Sequence, residues 1–180
     1  MFSTIFKKKL SNSELSQIFV NGVLDVIDKG FKEVMGLIEV DPSFVRKPDL
    51  TDAIDGPFTM IVIIGNLSLL DQYFEPQQST EIEELIISKF AETFEMTDEE
   101  FKKHLSNYKS FMSRVNHPSK NILYAMPKAL FFKYNLNDFQ DEYFKDMHSP
   151  NPLLLKRMEE VFEHFIWSWD AFFKKYKTSI

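Results

Sequence analysis

The feature that most constrains this chain is an amphipathic helical pattern near its C-terminal end, over residues 152–176. At about 100° per residue, its apolar side chains fall within an arc of roughly 140°, and charged side chains occupy most of the remainder. Asn151 is a favourable N-cap and Pro152 a favourable first helical residue. The pattern predicts one long final helix that closes a core with Leu154, Leu155, Met158, Val161, Phe162, Phe165, Ile166, Trp169, Phe172, Phe173 and Tyr176.

Trp167 is the exception, because it projects from the charged side of this predicted helix. Three readings stay open: a second packing surface inside the protein, contact with a partner, and chance exposure. Contact with a partner is attractive because Trp is enriched at interface hot spots. In that reading the polar neighbours on the same side form a rim. The predicted interface residues are then Trp167, Arg157, Glu160, His164 and Lys174.

Helix starts are indicated by three capping boxes, each followed by apolar residues at helical spacing. They are Ser11 with Glu14, Thr80 with Glu83, and Thr97 with Glu100. The chain has 19 Phe and eight Met but only five Gly, which favours packed helices over a turn-rich β fold. We predict an all-α bundle of six to eight helices, forming a single domain over residues 1–180 with a flexible N-terminus at 1–10.

The segment from Phe58 to Ile64 is the ambiguous part of this prediction, since it is apolar on every side of a helical wheel. Periodicity cannot separate a buried helix from a buried strand in such a run. The β-branched residues at 61–64 favour a strand. Pro57, at a plausible first-turn position, and the length of the run favour a helix. We predict a helix, with an α+β fold containing a short strand at 58–64 as the alternative.

Charge is distributed unevenly along the chain, whose net charge is −6. Residues 51–100 hold one Lys against twelve Asp and Glu, a balance of −11, whereas residues 101–180 hold thirteen Lys and Arg against eight Asp and Glu, a balance of +5. An acidic surface attracts basic protein partners, and nucleic-acid binding needs the opposite sign. We therefore expect a protein partner or a homodimer and no nucleic acid.

Cysteine is absent, which excludes disulfides and thiolate metal sites and suits a reducing compartment. No export signal is recognisable, and the longest apolar run, from Phe58 to Leu70, contains polar residues and is too short to cross a bilayer. The sequence thus predicts a cytoplasmic protein with no integral membrane segment.

No pattern of catalytic residues can be assembled from this chain. It has no nucleophile elbow and no glycine-rich phosphate loop. Glu100 precedes His104 by four positions, as Glu160 precedes His164, whereas di-metal helical sites use Glu-x-x-His. His104 lies on the apolar stripe of its helix, which predicts a core histidine. We expect no metal, no cofactor and no enzymatic activity.

Two functions are compatible with these features. The first is a non-catalytic interaction or regulatory protein that uses an acidic face around residues 71–100 and the surface around Trp167. The second is a helical carrier or sensor of a small apolar molecule, held among Phe and Met side chains. For this second function the predicted ligand-binding residues are Phe58, Met60, Phe111, Met112, Phe131 and Phe165.

Overall fold

The computed structural model describes residues 7–178, and it confirms the predicted all-α bundle. This part of the chain forms eight α-helices and one small parallel sheet of two strands. The elements are β1 (Lys8–Leu10), α1 (Asn12–Glu39), α2 (Gly56–Leu67), α3 (Pro76–Thr93), α4 (Asp98–Asn116), α5 (Ile122–Lys133), α6 (Glu142–Asp146), α7 (Pro152–Glu163), α8 (Trp169–Lys175) and β2 (Tyr176–Thr178).

Two of the three predicted capping boxes start helices. Ser11 caps α1 and Thr97 caps α4, each with the reciprocal hydrogen bonds of the motif. The prediction at Thr80 is wrong, because α3 already begins at Pro76, and the Thr80 hydroxyl donates to the Pro76 carbonyl inside the helix. Proline favours the first turn of a helix, which explains the earlier start.

Helix α2 lies at the centre of the bundle and resolves the ambiguity over residues 58–64 in favour of a helix. It packs against α1, α4 and α5, and residues 61–67 are all buried. A helix surrounded on every side has no polar face to expose, so its sequence is apolar throughout. The alternative fold with a strand at 58–64 is therefore wrong.

The C-terminal part departs from the predicted single helix over residues 152–176. Helix α7 ends at Glu163, residues 164–168 form an irregular turn, and α8 begins at Trp169 with Ser168 as its N-cap. The chain then leaves the helix at Tyr176 and enters β2. Each half keeps its apolar side on the core, which is why the helical pattern continues through a break in the backbone.

Strand β2 pairs with β1 in parallel, with Lys8 opposite Tyr176 and Leu10 opposite Thr178. Leu10 is buried, and the Lys7 ammonium donates to the Phe173 carbonyl at 2.6 Å. Of the N-terminus predicted as flexible, residues 1–6 lie outside the described residues, whereas residues 8–10 are strand. Within residues 7–178, none of the helices combines the length and the apolar character needed to cross a membrane.

Candidate functional site

The six predicted ligand-binding residues are divided among several parts of the bundle. Phe58, Met112, Phe131 and Phe165 are buried, and the rings of Phe58 and Phe165 are in edge-to-face contact with centroids 5.0 Å apart. Met60 and Phe111 are partly exposed. Met60 and Phe165 line two different surface grooves, so the structure brings only part of this set together.

Three of the five predicted interface residues lie together on α7 and at its C-cap. Arg157, Glu160 and His164 line a cleft of about 340 Å³ beside the C-terminal end of α1. The Arg157 guanidinium forms two 2.7 Å hydrogen bonds with the buried Asp41 carboxylate, so its charge is paired. Lys174 is exposed on α8, a separate element.

Trp167 is partly buried and lies in the turn between α7 and α8. Of the three interpretations of this residue, packing against a second surface inside the protein agrees with its position. Its six-membered ring faces Gly22 of α1, and it makes an edge-to-face contact with Phe19. The indole Nε1 is buried without a hydrogen-bond partner among the described residues. The ring therefore contributes to the packing of α8 on α1.

A different groove combines apolar lining with the acidic part of the chain. We call it the acidic groove. It lies between the start of α2, the end of α3 and the first turns of α4, and its volume is about 490 Å³. The lining residues are Ile54, Asp55, Gly56, Pro57, Thr59, Met60, Phe94, Met96, Phe101, His104 and Tyr108.

Large apolar side chains are exposed at the acidic groove. Ile54 is 72% exposed and Met96 is 39% exposed, and each lies in a connection between helices, next to a carboxylate residue in the sequence. Phe94 packs on Phe101 with ring centroids 5.8 Å apart, which gives the groove an aromatic base. Exposed apolar groups of this kind, bordered by charge, are a common feature of protein-binding surfaces.

The wall that carries Ile54 is fixed by Tyr134 of α5. The Tyr134 hydroxyl donates to the Ile54 carbonyl at 2.8 Å and accepts a 3.3 Å hydrogen bond from the Phe58 N–H. Burial raises the pKa of Tyr134 to about 12. The hydroxyl is therefore neutral at physiological pH, and it holds the connection before α2 in place.

The opposite wall is formed by the reversal between α3 and α4. Glu95 has a φ of 55°, in the left-handed region, and the N–H groups of Glu95 and Met96 bond back to Glu92 and Ala91 in a Schellman motif. The Thr97 capping box then starts α4, and hydrogen bonds from the Thr97 N–H and hydroxyl lower the pKa of Glu100. Met96 is thus presented by a defined turn.

The surroundings of the acidic groove carry an excess of carboxylates, although the Lys133 ammonium lies over the ring of the lining residue Tyr108, 4.4 Å from its centroid. No Lys or Arg among residues 7–178 forms an ion pair with the nearby carboxylates of Asp55, Glu92, Glu95, Asp98 or Glu99. Lys102 and Lys103 of α4 lie about 100° and 200° around the helix from Phe101 and so point away from the groove.

His104 differs from its prediction, because it is exposed at the edge of the acidic groove and does not belong to the core. Sequence reasoning also missed Ile54 and Met96. The available signal was weak: each is a large apolar residue between helices that adjoins a carboxylate, Ile54 next to Asp55 and Met96 next to Glu95.

Within the described part of the chain, no group of three or more His, Asp or Glu side chains is arranged to hold a metal ion. Comparisons of the chain with protein-family models, with curated proteins and with solved structures found no match.

Proposed function

We propose that this protein is a non-catalytic interaction protein that holds a basic, amphipathic segment of a protein partner in the acidic groove. The observation that carries the proposal is the exposure of Ile54 and Met96 at a Met- and aromatic-lined groove, most of whose lining comes from the segment of charge −11. Apolar side chains of the partner would supply the affinity by leaving water.

The negative charge around the groove indicates that the bound segment of the partner is positively charged. The carboxylates of Asp55, Glu92 and Glu95, which have no ion-pair partner between residues 7 and 178, favour Lys and Arg beside the apolar anchors of the bound segment. Exposed charges of this kind are screened by salt, with a Debye length of about 10 Å at 0.1 M. We therefore expect binding that weakens as the salt concentration rises.

A cytoplasmic location is part of the proposal, because a chain without cysteine suits a reducing compartment. A small apolar molecule is the alternative occupant, supported by the Met60, Phe94 and Tyr108 side chains that line the groove. Native mass spectrometry of the purified protein distinguishes the two, because a carrier keeps an excess mass that disappears on denaturation.

The test is selection of random peptides about 12 residues long, three helical turns, followed by fluorescence anisotropy with the selected sequences. We expect an excess of Lys and Arg among them. Ile54→Ser and Met96→Ser remove an apolar anchor at constant charge and should weaken binding about tenfold, or about 1.4 kcal/mol. Val45→Ser is the matched control, since Val45 is 66% exposed and lies outside the groove. Peptides without a basic excess, or equal affinity for all three variants, would contradict the proposal.

A further inference from the structure

A surface of exposed lysines lies where the two ends of the described chain meet. Strand β1 pairs in parallel with β2 and so brings residues 7–9 beside the end of α8. The lysines of these segments are all exposed, and we call them the lysine face: Lys7, Lys8, Lys9, Lys174, Lys175 and Lys177. This surface has the opposite sign to the chain as a whole, whose net charge is −6.

The register of the sheet places two of these lysines directly opposite each other. Lys9 pairs with Lys177, while the next pair, Leu10 with Thr178, points to the other side of the sheet, where Leu10 is buried. Paired residues share a face and lie on strands about 4.8 Å apart, so the two ammonium groups repel each other at the surface. A helix dipole favours lysines at the end of α8, but it does not account for lysines in two paired strands.

The charge of the lysine face is largely uncompensated within the described part of the chain. Lys8 is 3.7 Å from Glu14, and none of the other lysines of the face forms an ion pair there. Asp170, at the start of α8, also forms no ion pair in this part. Residues 1–6 and 179–180 contain no Asp or Glu. An anionic partner would therefore replace repulsion among these lysines by attraction.

The sequence that precedes the lysine face is apolar. Residues 1–6 lie outside the described range, and they include Phe2, Ile5 and Phe6, the last of which is bonded directly to Lys7. Anionic membranes bind proteins by two such signals together, basic side chains near the headgroups and apolar side chains that enter the interface. Nucleic acid is a poorer match, because arginine is the preferred residue for its recognition and all cations of the face are lysines. An acidic protein would use the charge and leave the apolar segment without a role.

The acidic groove lies far from the lysine face. Gln78, near the start of α3, donates a 3.2 Å hydrogen bond to Asn12, which follows β1 closely in the chain. Phe94 of the groove follows the end of α3, about 24 Å farther along the helix. This separation exceeds the Debye length of about 10 Å at 0.1 M salt. The carboxylates of the groove therefore oppose the approach of the lysine face to an anionic surface only weakly.

We infer that the lysine face binds the surface of an anionic phospholipid membrane, with Phe2, Ile5 and Phe6 as the apolar contact. Phospholipid headgroups beside Lys9 and Lys177 offset the repulsion between the two ammonium groups. The association is peripheral and reversible, because each of the two signals alone binds a membrane weakly. The inference is independent of the peptide proposed for the acidic groove, since the two surfaces share no residue and their binding is measured separately.

Co-sedimentation of the full chain with vesicles tests the inference. The chain should bind vesicles of phosphatidylcholine and phosphatidylserine in equal parts much more tightly than vesicles of phosphatidylcholine alone, and added salt should weaken the binding. A lysine near an anionic surface contributes about fivefold in affinity, so Lys9→Gln combined with Lys177→Gln should weaken binding about 25-fold. Lys102→Gln combined with Lys103→Gln is the matched control, since it makes the same change in net charge on the first turns of α4 and should bind as the native chain does.

Phe2→Ser combined with Phe6→Ser tests the apolar contact. It should lower the affinity for the anionic vesicles and leave the salt dependence as it is, because the charge is constant. Circular dichroism verifies that each variant is folded. Equal affinity for the two kinds of vesicle, equal affinity of the two lysine variants, or an unchanged affinity of the phenylalanine variant would overturn the inference. A DNA duplex that displaces the vesicles would overturn it as well and assign the lysine face to nucleic acid.

Discussion

The side chain of Asn66 in α2 accepts a 2.7 Å hydrogen bond from the backbone N–H of Trp167, in the turn between α7 and α8. Its amide nitrogen donates to the Phe165 carbonyl and to the Val62 carbonyl, both at 2.9 Å. Asn66 is 1% exposed. Backbone groups that a helix break leaves without partners must find them elsewhere when buried, and here one amide side chain provides two.

Asn66→Leu should therefore be strongly destabilising. The substitution leaves the Phe165 carbonyl and the Trp167 N–H buried without partners, at about 1–3 kcal/mol each. We expect a loss of about 3 kcal/mol in the free energy of unfolding, measured by urea denaturation. Asn107→Leu, at an exposed position of α4, should change it by less than about 0.5 kcal/mol. A loss below 1 kcal/mol for Asn66→Leu, roughly one hydrogen bond, would show that water or a shift of the turn replaces the side chain.

The same residue explains why a single final helix was predicted. The apolar positions before and after the break both face the core, so their spacing does not indicate that the helix is broken. The residue that stabilises the break lies about a hundred positions earlier in the chain, as a single asparagine within the apolar run of α2. Local start signals such as Ser11 and Thr97 were readable because their partners are three residues distant.

Gly22 and Gly36 of α1 should respond in opposite directions to alanine. A Cβ at Gly22 would lie 2.2 Å from the Trp167 ring, whereas a Cβ at Gly36 meets nothing within 4 Å. We expect Gly22→Ala to cost about 1–3 kcal/mol through overpacking. Gly36→Ala should stabilise the helix by about 0.5–1 kcal/mol. Thermal and urea unfolding of the two variants provide the measurement.

Trp167→Ala identifies the source of the Gly22 effect. Alone it should cost about 3 kcal/mol, because a large side chain of the bundle is lost. In combination with Gly22→Ala the two costs should be strongly non-additive, since the added methyl group then has room. Additive costs would place the strain of Gly22→Ala somewhere other than the indole ring.

The Asp41–Arg157 pair predicts a dependence of stability on acid pH. Burial raises the pKa of Asp41, but hydrogen bonds from Arg157 and Ser43 outweigh it, and the pKa lies below its ordinary value of 3.8. The pair therefore contributes stability above pH 3.8 and loses it as the pH falls through the lower folded pKa. At pH 6 we expect Asp41→Asn to cost about 2 kcal/mol, as for hydrogen bonds to a charged group.

The measurement is the difference in urea unfolding free energy between the native chain and Asp41→Asn at pH 6 and at about pH 2.5, which is below the ordinary Asp pKa. The difference should shrink at the lower pH, because Asp41 of the unfolded chain takes up a proton more readily than the folded carboxylate and so favours unfolding. A difference that stays constant would mean that the shape of the side chain, rather than its charge, is what matters.

The raised pKa of Tyr134 predicts a loss of stability at alkaline pH. Its pKa is about 12 in the folded protein and about 10 when unfolded, so the unfolded chain loses the proton first. Stability should therefore fall as the pH rises from 10 to 12. Tyr134→Phe should remove this part of the decline and cost about 1 kcal/mol at neutral pH, through the lost bonds to Ile54 and Phe58. Measuring the free energy of unfolding against pH for the native chain and for Tyr134→Phe separates the contribution of Tyr134 from those of other titrating groups.

The acidic groove was only partly predictable. The excess of carboxylates over residues 51–100 is a property of composition and could be counted. The groove itself requires Ile54, Met96 and His104 to converge from three separate segments, and no local pattern specifies that convergence. Trp167 was prominent in sequence because it interrupts a charged face, yet its environment depends on Gly22, far away in α1.

Two substitutions of Glu95 should separate the effect of its strained backbone from the effect of its charge at the acidic groove. Its left-handed backbone, with a φ of 55°, costs an L-residue about 1 kcal/mol that glycine does not incur. We expect Glu95→Gly to raise the free energy of unfolding by about 1 kcal/mol, whereas Glu95→Gln, which keeps the strain, should leave it nearly unchanged. Both remove one carboxylate, so both should weaken a basic peptide to a similar extent, measured by anisotropy at low salt. Weakening by glycine alone would show that the fixed shape of the turn, and not its charge, governs binding at Met96.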